Sequence, residues 1–122
     1  MFIIDSMSKV PVYMQIVEQV EKFVLTGALT KGDQMPSVRN LSATLMINPN
    51  TIQKAFTELD SRGIISSVPG RGCFITETAL NIIKSQKEGE LEQLTELLKD
   101  LRLAGVSKDA ILKCVERSFS DD

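Results

Sequence analysis

At Gly63 this chain changes its period. Before it, apolar residues recur every three or four positions. After it, they fall in two short runs, Ile64-Ile65-Ser66-Ser67-Val68 and Cys73-Phe74-Ile75-Thr76, rich in β-branched and aromatic residues. The first pattern is that of amphipathic helices and the second that of strands. Pro69-Gly70-Arg71-Gly72 separates the two runs, so they read as a hairpin with two glycines and an arginine at its tip. A segment that builds helices and then closes with one hairpin has few folds open to it.

Three helices are expected ahead of the switch. Pro11 precedes Val12, Ile16, Val17, Val20, Phe23 and Val24, which share one helical face, and Gly27 is the stop, giving a first helix over about 12–26. Lys31-Gly32-Asp33 is a turn signal. Ser37 can cap a second helix with Val38, Leu41 and Leu45 inward, ending near Met46. In the third, Asn48 is placed as cap and Pro49 at the first helical position, where its missing N–H costs nothing. Ile52, Ala55, Phe56 and Leu59 form its buried stripe; Asn50, Thr51, Gln53, Lys54 and Thr57 face away. Two short helices joined by a few residues are the helix-turn-helix pattern, and the hairpin makes it a winged one. Phe2-Ile3-Ile4 is a short strand or an arm.

Residues 79–122 differ in kind. Leu80, Ile83, Leu91, Leu94, Leu98 and Leu101 follow a near-heptad spacing, with Gly89 inside it at about 1 kcal/mol relative to Ala. This predicts one long helix bent near Gly89, or two consecutive pieces. Ala104-Gly105 ends it. Ser107 caps a last helix carrying Ile111, Cys114, Val115 and Phe119, with Val106 and Ile111 as a hydrophobic staple. So small an appendage cannot bury its own apolar residues. They must pack on the first domain, 1–78, or on a second copy of the chain.

Charge and composition narrow the chemistry. The chain has 122 residues and no histidine, and Cys73 and Cys114 are not in CxxC spacing. A zinc site or a Cys/His or Ser/His catalytic pair is thereby disfavoured, there is no phosphate-binding loop, and an enzyme is the least favoured class. No metal and no cofactor are expected. Both cysteines read as small core residues. The chain has no apolar run near the roughly 18 residues of a membrane helix and no signal-peptide pattern, so a cytoplasmic protein is expected. Residues 1–78 balance seven basic against seven acidic side chains; 79–122 hold seven against nine. Within 39–71, Arg39, Lys54, Arg62 and Arg71 oppose Glu58 and Asp60, a weakly basic local balance that permits nucleic-acid binding.

Pro-x-Tyr-x-Gln-Ile at 11–16, Gly-Asp-x-x-Pro-Ser-x-Arg at 32–39, Asn-Pro-Asn-Thr at 48–51 and Gly-x-Gly-x-Phe at 70–74 occur in this order. Together they resemble the GntR family of bacterial transcription regulators over residues 10–77. The short two-helix remainder is similar to the YtrA-type subfamily, in which those helices dimerise and whose members are often repressors of ABC-transporter operons. The resemblance implies a homodimer on a palindromic double-stranded DNA operator. It implies DNA contacts by Ser37 and Arg39, by Asn48, Asn50, Thr51, Gln53 and Lys54, and by Gly70, Arg71 and Gly72 at a wing entering the minor groove. Dimerisation would fall to Leu91, Leu94, Leu98, Leu101, Ile111, Val115 and Phe119. The side chains suit these roles: Arg forks onto guanine or phosphate, Gln pairs with adenine, and free N–H groups at a helix start hold phosphate. Arginines that the fatty-acid-sensing relatives carry in this helix are replaced by Pro49 and Gln53, so a different operator is expected. A winged helix that docks a protein instead of DNA is the alternative. A small-molecule effector, which would sit at the dimer interface, is left open.

Overall fold

Two of the first three helices start where a polar side chain takes up a free amide. The computed structural model describes residues 1–120. α1 is Val12–Thr26, α2 is Val38–Leu45 and α3 is Pro49–Ser61. The Ser37 hydroxyl accepts from the Asn40 N–H at 3.0 Å, and the Asn48 Oδ1 accepts from the Asn50 N–H at 2.8 Å. Replacing such a cap by Ala typically costs about 1 kcal/mol. α3 closes through Gly63, whose φ of 82° lets the Ile64 N–H reach the Leu59 carbonyl while its own N–H reaches that of Asp60. A Cβ on Gly63 would also lie 3.1 Å from Cδ1 of Ile82. α2 ends in the same way through Met46, the one non-glycine residue with positive φ among the described residues.

After Gly63 the chain forms the hairpin. β1 (Ile65–Val68) and β2 (Gly72–Ile75) pair antiparallel, with Ile65 opposite Ile75 and Val68 opposite Gly72. The other edge of β2 is also occupied. Residues 32–35 run beside it: the Met35 N–H donates to the Cys73 carbonyl and the Ile75 N–H to that of Asp33, each at 2.8 Å. Gln34 stands opposite Phe74. The turn read at Lys31-Gly32-Asp33 is therefore also the start of a third, short edge.

The core joins these pieces. Ile16, Val17 and Val20 of α1 meet Leu41 of α2, Ile52, Ala55, Phe56 and Leu59 of α3, and Ile64, Ile65 and Ile75 of the hairpin. Ala79 and Ile83 of α4 (Ala79–Gly89) are buried in the same core. The first compact unit accordingly runs from Met1 to Ser85 and takes in the first turns of α4, beyond residue 78. Residues 2–4 are an arm, without strand pairing. Two glutamines one turn apart on α1 bind it: Gln19 exchanges hydrogen bonds with the Ile3 backbone, and Gln15 bonds Asp5 and Val10. Phe2 packs edge-on against Phe23 with ring centroids 5.3 Å apart.

The second unit holds the end of α4, then α5 (Leu91–Leu103) and α6 (Lys108–Ser120). Of the two readings of this tail, the one with consecutive pieces holds, the break falling at Glu90. Gly105 (φ 87°) closes α5, and Ser107 caps α6 by accepting from the Ala110 N–H. No residue of either helix is buried. Leu98, Leu101 and Ile111 are half-buried; Leu91, Leu94, Val115 and Phe119 are exposed, as are Leu97, Leu103 and Leu112. Cys114 is exposed too, contrary to its expected place in a core, because α6 has no third layer to cover it; Cys73 is half-buried beside the core.

Candidate nucleic-acid interface

The residues singled out from the sequence for DNA contact divide into four groups in space. Ser37, Gln53, Gly70, Arg71 and Gly72 line one groove between the start of α2, the outer side of α3 and the wing tip. Thr57, Asp60 and Ser67 line it as well. Arg39 is the second residue of α2, exposed, and makes no hydrogen bond or ion pair among the described residues. Asn48, Asn50 and Thr51 occupy the start of α3, where Asn48 is engaged as its cap. The helix-start amides and their partial positive charge make this end of α3 suited to an anion.

Lys54 is held aside. Its ammonium sits 4.1 Å from the centre of the Tyr13 ring on α1, a cation–π contact. Gln53 is directed along the helix, its amide donating to the Thr57 hydroxyl at 3.3 Å. Nothing in the sequence pattern marks Tyr13 as a partner of Lys54, since the two lie on different helices.

The local charge also differs from the sequence count. Arg62 belongs to an ion-pair cluster, 2.8 Å from Glu58 and 3.5 Å from the buried Glu21. It ties α3 to α1 and does not contribute to an open basic face. Arg39, Lys54 and Arg71 are the cations left among the residues expected to contact DNA.

At the wing tip, Gly70 (φ 75°) and Gly72 (φ 115°) occupy backbone that favours glycine. The Arg71 N–H donates to the Val68 carbonyl at 2.9 Å, and its own carbonyl accepts from Gln34 at 2.8 Å. Gln34 escaped the sequence reading: it is a polar residue in what reads as a turn. Among the described residues no group of histidine, cysteine, aspartate and glutamate could hold a metal ion, and no helix is long and apolar enough to cross a membrane.

Comparison with known proteins agrees with this geometry. Residues 12–75 match the model of the bacterial regulatory proteins, gntR family. The HTH-type transcriptional repressor YtrA of Bacillus subtilis is 37% identical over 119 residues, covering 97% of this chain and 92% of the relative. A transcriptional regulator from Oenococcus oeni superposes with a TM-score of 0.74 at 34% identity, covering 96% of this chain and 98% of the other. The DNA-binding domain of AraR, solved in complex with operator ORE1, superposes at 0.53 with 26% identity, covering 62% of this chain and 93% of that one. The chain belongs to the GntR family, is similar to its YtrA-type members, and is a DNA-binding transcription regulator.

Proposed function

We propose that the chain is a homodimeric repressor that reads a palindromic operator in the cytoplasm and carries out no catalysis. The observation that carries this reading is the shared placement of Ser37, Gln53 and the Gly70-Arg71-Gly72 tip around one groove. α3 enters the major groove with Asn50, Thr51 and Gln53 toward base edges, and the cap Asn48 fixes where that face begins. The wing tip lies along the minor groove. Arg39 takes a phosphate or a guanine from the start of α2. Lys54, drawn toward Tyr13, serves the backbone of the duplex rather than a base.

The tail supplies the second copy. Leu91, Leu94, Leu98, Leu101, Ile111, Val115 and Phe119 lie on helices that leave most of them in water. Contact with the same surface of a partner removes that area from solvent and sets two reading heads in twofold relation, as a palindrome requires.

Selection of bound DNA from random sequence tests this. It should return an inverted repeat. With the Arg39, Lys54 and Arg71 side chains of two protomers each neutralising a phosphate, the logarithm of affinity should fall against that of salt with a slope of about −5. Retention of a protein partner with no shift of any DNA would instead support the interaction-module reading.

A further inference from the structure

We infer that Gln34 is a positioning residue for DNA binding: its side-chain amide holds the wing tip in reading position. The inference rests on the DNA-reading role assigned to the wing above. Gln34 lies in the short edge beside β2, where it stands opposite Phe74 and where the next residue, Met35, donates its N–H to Cys73. Its backbone is thus fixed to the sheet. From that base its Nε2 donates to the Arg71 carbonyl at 2.8 Å, across 37 positions of sequence. A Cβ on Gly72 would come within 2.8 Å of the same Nε2, so the amide lies where any other residue would put a side chain.

Arg71 is consequently satisfied on both sides of its backbone. Its N–H is taken by Val68 and its carbonyl by Gln34. Its exposed guanidinium has no hydrogen bond or ion pair among the described residues. A loop with two positive-φ glycines would otherwise sample several shapes, and ordering it on DNA would cost conformational entropy. The amide lowers that cost before DNA arrives. The same segment runs on through Pro36 into Ser37 and α2, so the tether also sets the distance between the wing and the start of the helix that carries Arg39.

The test is a double-mutant cycle on the full chain, with DNA recovered by selection as probe and binding followed by fluorescence anisotropy. Gln34→Met keeps the length and removes the donor; Gln34→Ala removes both. Each should weaken binding roughly 3- to 10-fold, the worth of one hydrogen bond, with an unchanged melting temperature. In an Arg71→Ala background the Gln34 substitutions should weaken binding less than they do in the parent, because the side chain that the tether positions is gone while the backbone contact remains. Unchanged affinity in Gln34→Met, fully additive losses in the double variant, or a melting temperature that falls in step with affinity would each overturn the inference. Failure of the unmodified chain to bind any selected DNA would instead overturn the DNA-reading role itself.

Discussion

α3 and α5 are both helices of thirteen residues with one apolar side. α3 buries Ile52, Ala55, Phe56 and Leu59; α5 buries nothing. The sequences do not explain the contrast, because both carry the same helical repeat of apolar residues. The surroundings do. α3 is covered by α1, α2 and the hairpin, so each apolar side chain meets a neighbour. In the second unit α5 has α6 and no third layer. An amphipathic pattern states that a helix needs a cover; it does not state whose.

The sharpest way to break this contrast is to charge the open helix. Leu94→Asp should convert the dimer to a monomer in sedimentation and, by removing the second reading head, reduce operator affinity on the order of 10²- to 10⁴-fold. A monomer that binds as well as the parent would end the dimer proposal. Truncation inside the closed unit comes next. Ile52, fully buried, should cost about 2–5 kcal/mol on change to Ala in denaturant unfolding, whereas Leu97→Ala in the monomeric Leu94→Asp background should cost under about 1 kcal/mol. Equal losses would mean that α5 is covered within a single chain.

The reading side should respond differently from either. Arg39→Ala should weaken DNA binding by about 1–3 kcal/mol with the oligomeric state and melting temperature unchanged. Wild-type binding would remove Arg39 from the interface. Smallest is the Lys54 pair. Lys54→Ala should reduce affinity about equally for matched and mismatched operators, and Tyr13→Leu should reproduce roughly 0.5–1 kcal/mol of that loss. Sequence-selective loss would place Lys54 on a base edge.

Much of the closed unit was legible. Caps at Ser37 and Asn48, stops at Gly27 and Gly63, and the change of period after Gly63 are all local signals, and local structure follows them. What escaped was made by partners distant in sequence. The edge at residues 32–35 is too short to show a period, and only pairing with β2 makes it extended. Gln15, a residue of the Pro-x-Tyr-x-Gln-Ile motif, and Gln19 hold the arm through its backbone, a partnership for which the sequence has no alphabet. Arg62 counted as an open cation until Glu21, on another helix, took it. Of the candidate site, the residue types were readable; which cations are free, which are held and what holds the wing were not.

Gln34 holds the wing by a carbonyl, and every amino acid has one. The tether is therefore indifferent to which side chain stands at position 71. β2 is anchored along both edges, so the root of the wing stays with the core while the tip, Pro69-Gly70-Arg71, is exposed. Exposed tips of this kind accept change more readily than the elements they join. On the proposed reading, in which the tip meets DNA, a lineage can exchange the side chain there, and with it part of its operator preference, while keeping the tip's shape. The amide tether would then separate the evolution of specificity from the maintenance of the fold.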